Sequence, residues 1–284
     1  MPENAEKTLM RKNNKNKLFS YSGNKEWLVD YINYKLNNNS KQFESYYELF
    51  LGSGSIFLNL NRNFDNYILN DKDSYIYFIW NAVKSFSYTD YQHVLSKIKD
   101  KFGDIKTNKQ SYYNFRNWWN KEYYNTNNLI GGLYLLVLSS SCINSMLRFG
   151  PNGMNQSYGN REYVISEQQW NDIKHRLNNA MISNNDFLAF NPNNIKNSVL
   201  FLDPPYVNRE MTYNKNGFSI NNFINWITEL NDNNLILYTN FENSVSDNLV
   251  NFGFKKIKLR TMISTSPNRK SGVEETGNEI LYIK

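Results

Sequence analysis

The chain has 284 residues, 40% of them hydrophobic and 16% aromatic, with a net charge of +6 and a pI near 9.1. That content supports one large packed domain, or a domain carrying an insertion, and excludes global disorder. One cysteine and two distant histidines exclude an internal disulfide and a thiolate metal cluster, and they argue against a histidine-built metal site.

In chain order, residues 1–17 are polar and basic and read as a disordered tail without an apolar leader. Residues 25–37 place Trp27, Leu28, Tyr31, Ile32 and Leu36 at helical spacing. SYYELFLGSGSIFLNLNR reads as a strand ending near Phe50, a glycine turn, and a helix from about Ser55. NYILNDKDSYIYFIWNAVK repeats the plan: a strand over 67–70, an acidic corner at 71–73, a helix over 75–84. Two strand–loop–helix units in succession predict a parallel sheet. From about 85 to 179 the period becomes helical and the composition turns to Tyr, Trp, Lys and Arg. The apolar run 129–143 is too short to span a bilayer and reads as a buried helix. Strand patterns return at AMISNNDFLAF, NSVLFLDPPY, NNLILYTNF, FGFKKIKLRTMI and NEILYIK. The chain is therefore expected to be an α/β domain whose two halves, 18–84 and 180–284, flank a helical insertion.

Two stretches carry chemistry. In FLGSGS, Gly52 and Gly54 allow a tight turn and close backbone approach to a ligand. Gly-x-Gly alone is weak, but Asp71 ends the next strand, where such folds bind ribose hydroxyls. With no third glycine, the expected ligand is adenosine-like and need not contain pyrophosphate. In LFLDPPYVN, an apolar strand ends on Asp203, Pro204, Pro205 and Tyr206. The prolines fix the backbone and keep the Pro204 carbonyl out of a helix ladder. A carboxylate beside a carbonyl offers two acceptors, which suits an amine with two hydrogens; Tyr206 adds a stacking face. A rigid turn with no ligand is the bland alternative, and the company of Gly52 and Asp71 weighs against it.

In this order the motifs resemble the D12 class of DNA deoxyadenosine methylases, group α. Residues 203–206 match the catalytic motif of that family, ELFLGSGSIFLNL its cofactor glycine motif and ILNDKD its acidic motif. YSGNKEWL resembles its N-terminal cofactor motif, with Tyr21 and Lys25 in place, and NNDFLAF its adenine-side motif, with Asp186 and Phe187. The resemblance runs from about residue 21 to the end. It implies a Rossmann-like class I methyltransferase sheet with an inserted helical target-recognition domain over 85–179. S-adenosylmethionine would be held by Tyr21, Lys25, Phe50, Gly52, Gly54, Asp71, Asp186 and Phe187, with no metal. The implied partner is double-stranded DNA, bound by a monomer or weak dimer in the cytoplasm, with no membrane. Arg116 sits in a helix similar to one that contacts the DNA backbone, and residues 144–163 resemble the segment that reads GATC. There Arg148 takes the place of a guanine-reading arginine, Met146 of an apolar wedge, and Asn144 lies beside the flipped base; Arg161 completes the DNA-facing set. Arginine is the best bidentate reader of guanine, and an apolar wedge assists unstacking. A proline usual in that segment is replaced by Ser157.

The implied reaction is methylation of adenine N6, with a modification methylase of another adenine-containing site as the alternative. A noncatalytic DNA-binding protein that kept the fold is the rival from a different class. Trp118, Trp119, His93 and His175 read as packing or surface residues, and Arg269 and Lys270 as part of a basic loop.

Overall fold

The computed structural model describes residues 16–19, 21, 23–143, 147–159, 164–205, 218–263 and 276–284. Tyr206, Asn144, Met146, Arg161, Arg269, Lys270 and most of the basic tail lie outside them.

A single turn at Glu26–Leu28 leads into α1 (Val29–Asn37), which buries Val29, Tyr31, Ile32 and Leu36. β1 (Ser45–Glu48) follows. The helix expected from Ser55 is only one 3₁₀ turn, Phe57–Asn59. The chain leaves the turn at Leu60, whose backbone is extended, and the Asn59 side-chain amide donates back to the Ser55 carbonyl at 2.8 Å. β2 (Asn66–Asn70) ends at the acidic corner, and Asp73 accepts the Tyr75 N–H at 2.8 Å to start α2 (Ser74–Ser85).

Four more helices follow: α3 (Tyr88–Phe102), α4 (Lys109–Glu122), α5 (Leu129–Ser140) and α6 (Glu167–Leu177). Ser87, Asn108, Asn128 and Ser166 cap them in turn, which is why their starts are sharp. A short hairpin, β3 (Phe149–Gly150) and β4 (Gly153–Met154), sits between α5 and α6. α5 is buried nearly all round, as its unbroken apolar run requires, and no described helix is long and apolar enough to cross a membrane. It lies tight on α2: a Cβ on Gly132 would stand 2.4 Å from the Phe78 carbonyl oxygen.

β5 (Ala180–Ser183), β6 (Ser198–Leu202), α7 (Ile220–Thr228), β7 (Leu235–Phe241), the short α8 (Ser244–Asp247), β8 (Lys255–Ile263) and β9 (Thr276–Ile283) complete the chain. The seven-stranded sheet runs β5-β2-β1-β6-β7-β9-β8. β9 is antiparallel to both of its neighbours; the other ladders are parallel. All five residues of β6 are buried, as a strand covered on both faces must be. One core holds Phe57, Trp80 and Tyr46; the other holds Leu200, Leu202, Phe223, Trp226 and Tyr238. The chain leaves β1 toward β2 and β5, then returns to β6 on the other side of β1. That reversal opens a crevice at the carboxyl ends of β1 and β6, where ligands of such sheets bind.

Candidate active site

The glycine turn lies at the carboxyl end of β1. Gly52 and Gly54 have φ of +49° and +61°, a region that L side chains rarely adopt. Asp71, one strand over, braces this turn: its Oδ2 accepts the Gly52 N–H at 2.8 Å and its Oδ1 the Asp73 N–H at 2.9 Å. Burial, with the charge of Asp73, pushes Asp71 up to about 7 against the pull of those two N–H groups. Tyr21 lies over the turn; a Cβ on Gly52 would meet its ring at 3.3 Å. At Gly54 a Cβ would stand 2.5 Å from the Trp80 indole, whose Nε1 donates to the Gly52 carbonyl at 2.9 Å. Phe50 and Phe187 meet at 5.9 Å, joined by Phe223 at 5.7 Å and Phe218 at 6.0 Å from Phe50. Phe218 and Phe223 were absent from the sequence reading. Beside this apolar wall, Asp186 pairs with Lys72 at 2.7 Å and caps the turn at Phe187.

Asp203 stands just past β6, next to this crevice. Its Oδ1 accepts from Thr239 Oγ1 at 2.7 Å and its Oδ2 from Lys25 Nζ at 2.6 Å. Lys25 is buried, and its ammonium also donates to the Gly23 carbonyl at 2.9 Å and stands 3.4 Å from Glu279 Oε1. The sequence placed Lys25 with the cofactor; only its backbone is near the glycine turn, through a 3.2 Å bond to Ser55 Oγ, while its side chain reaches the candidate catalytic carboxylate. Burial raises the Asp203 carboxyl above its ordinary range; Lys25 and Thr239 oppose the rise.

Glu48, the last residue of β1, also escaped the sequence reading. It is 2% exposed, and its Oε2 accepts from Tyr46 Oη at 2.7 Å and the Phe57 N–H at 3.1 Å. Burial pushes it from 4.5 up to about 8, with the charges of Asp203 and Asp71 adding to the rise. The folded state therefore keeps a proton that the unfolded chain releases. The stability this supplies is full below pH 4.5 and is lost as pH rises toward about 8. Glu48→Gln, neutral at every pH, is expected to flatten the fall in melting temperature over that window and to melt higher than the parent at pH 8. Melting curves that stay parallel to the parent would show that Glu48 is ionised.

The DNA-facing candidates divide. Arg148 is exposed at the foot of the hairpin, its Nε donating to Asn155 Oδ1 at 2.8 Å and its Nη2 to the Asn155 carbonyl at 3.3 Å. Phe149, its neighbour, lies flat on Tyr75 of α2 with ring centroids 3.7 Å apart. Arg116 turns inward: it donates to the Gln156 carbonyl at 3.0 Å and lies 4.8 Å from the Tyr113 ring. It supports the segment after the hairpin. Trp119 is buried and Trp118 half-buried among aromatic neighbours, as packing residues should be.

The strand order, the reversed β9, and a glycine turn braced by a strand-end carboxylate define a Rossmann-like methyltransferase fold. Within that class, residues 21–264 match the model of the D12 class N6 adenine-specific DNA methyltransferases, and the chain belongs to that family. A DNA adenine methylase of Haemophilus influenzae is 25% identical over 272 residues, 90% of each chain. One of Serratia marcescens is 27% identical over 212 residues, 74% of each. The modification methylase StsI of Streptococcus sanguinis is 29% identical over 189 residues, 63% of this chain and 27% of that longer protein. The protein is an adenine-specific DNA methyltransferase.

Proposed function

We propose that the chain moves a methyl group from S-adenosylmethionine to N6 of an adenine flipped out of duplex DNA, within GATC. The observation that carries this reading is Asp203: it stands at the carboxyl end of β6, in the crevice beside the turn that Asp71 braces. The residues there fit the donor. Asp71 matches ribose hydroxyls, Tyr21 lies over the turn, and Phe50 and Phe187 give an apolar wall for a purine. When bound, S-adenosylmethionine supplies an already activated methyl group.

The chain supplies orientation and charge. A base must leave the stack to be reached. Asp203 and the Pro204 carbonyl accept the two N6 hydrogens and stabilise positive charge as it forms on the nitrogen. Pro205 fixes the carbonyl and Tyr206 stacks on the base. The halves 18–84 and 180–284 form the catalytic domain, and 85–179 reads DNA through Arg148, Met146, Asn144 and Arg161, with Arg116 holding the reading segment. The chain works as a monomer or weak dimer in the cytoplasm.

The GATC assignment rests on the likeness of residues 144–163 to the segment of GATC-methylating members. A second reading, a modification enzyme of another adenine-containing site, is favoured by the StsI similarity. Methylation-aware sequencing of DNA from cells expressing the chain separates them. GATC modified throughout supports the first, and another single motif the second; unmodified DNA refutes both. Arg148→Ala is expected to lose about 1–3 kcal/mol of discrimination at one guanine. Competition binding with base-substituted duplexes checks it, and equal weakening on every sequence would make Arg148 a phosphate contact.

A further inference from the structure

Lys25 does not serve Asp203 alone. Its ammonium is 2.6 Å from Asp203 Oδ2 and 3.4 Å from Glu279 Oε1. Glu279 is 1% exposed and lies in β9. A carboxylate so deeply buried is costly unless it is paired and hydrogen-bonded. Its second oxygen meets Arg260 Nε at 2.7 Å, and the Arg260 guanidinium lies over the Trp27 ring at 4.1 Å. The β8–β9 register slips between Lys258 and Arg260, so that Arg260 falls opposite Glu279. A bulge of this kind re-aims a side chain and is common beside active sites. The reversed strand, Trp27 and the bulge thus build a row of alternating charge: Asp203, Lys25, Glu279, Arg260.

We infer that Glu279 is a positioning residue for methyl transfer, which shares the Lys25 ammonium with Asp203 and is itself held by Arg260. The inference rests on the reading of Asp203 above. An ammonium paired fully with Asp203 would cancel the charge that stabilises the forming N6 cation. Shared with a second buried carboxylate, it keeps Asp203 oriented and ionisable while leaving it net negative charge toward the amine. Arg260 is more exposed, so water weakens its charge at Asp203 without cancelling it, and its main part is to satisfy Glu279.

The titratable groups facing Asp203 among the described residues are Lys25 from the N-terminal loop, Glu48 on β1, Tyr238 on β7 and Glu279 on β9. Removing the Glu279 charge eases ionisation of Asp203; removing the Arg260 charge hinders it. The acid limb of the pH–rate profile should therefore move in opposite directions in the two variants, which a loss of packing would not produce.

The experiment measures single-turnover methyl transfer on duplex DNA across pH for the full chain, Glu279→Gln, Arg260→Gln and Asp203→Asn. Glu279→Gln is expected to lower the plateau rate about tenfold, with cofactor and DNA affinities kept, and to shift the acid limb to lower pH. Arg260→Gln is expected to shift it to higher pH, and this partly exposed position keeps the test available if Glu279→Gln fails to fold. Limbs that stay with the parent, or move the same way in both variants, overturn the inference. If Asp203→Asn is inactive while those limbs stay put, only the positioning role falls. If Asp203→Asn turns over normally, the reading of Asp203 falls and the inference with it.

Discussion

Asp203→Asn is expected to slow methyl transfer by roughly 10³-fold while the protein folds and binds cofactor and DNA within about threefold of the parent. The substitution keeps the shape. An asparagine carbonyl can still accept from Lys25, as Asp203 Oδ2 does at 2.6 Å, but the amide nitrogen then faces Thr239, where Oδ1 now accepts at 2.7 Å. That nitrogen donates only, so one acceptor for the substrate amine is lost, and with it the negative charge opposite the forming cation. The Pro204 carbonyl persists and accounts for residual turnover. Lys25 keeps Glu279 as a partner, so the fold does not inherit a lone buried ammonium. Single-turnover assays with labelled methyl donor, with affinities measured separately, check this. Turnover within about tenfold of the parent would remove Asp203 from the chemistry.

Much of this site was legible because parallel sheets put polar residues just past apolar runs. FLGSGS, ILND and LFLDPP each end a strand on a polar or glycine position, and the fold places all three at adjacent carboxyl ends. What stayed hidden has physical causes. Glu279 lies in a closing strand whose pattern gives no sign that the acid is buried; it is buried by pairs with Lys25 and Arg260 that no local period encodes. Lys25 meets Asp203 across 178 residues of sequence. The helix expected at Ser55 stops after one turn because the chain extends at Leu60, a change of direction that the apolar spacing of SIFLNL does not encode. Arg116, expected from the resemblance to contact the DNA backbone, also donates to the Gln156 carbonyl, a tertiary contact 40 residues away. Gly54 takes the tight turn expected of it, and the Trp80 indole that fills the space of its missing side chain lies 26 residues on, beyond any local pattern.

Lys25→Met is the substitution with the broadest expected effect, because it removes the cation between two carboxylates. Asp203 and Glu279 would then face each other, Asp203 still accepting from Thr239 and Glu279 still paired with Arg260. Breaking a buried charge arrangement by deleting one partner costs about 3–5 kcal/mol. The sign with pH follows from Asp203. Burial already raises its carboxyl, and Lys25 is the first of the forces holding it down. Without Lys25 the folded-state value climbs further above that of the unfolded chain, and the folded state holds its proton to higher pH. Stability from that proton is full below the unfolded value and is lost as pH rises through the folded one. The variant should therefore stand nearest the parent in mild acid and fall furthest behind it in alkali, which denaturant titrations at two pH values resolve. Activity should move the other way. Protonation removes the negative charge of Asp203 and turns one of its acceptors into a donor, so the rate of Lys25→Met is expected to rise toward alkaline pH until unfolding intervenes. A rate at saturating cofactor equal to the parent's, with only the cofactor affinity reduced, would return Lys25 to the cofactor side where the sequence first placed it.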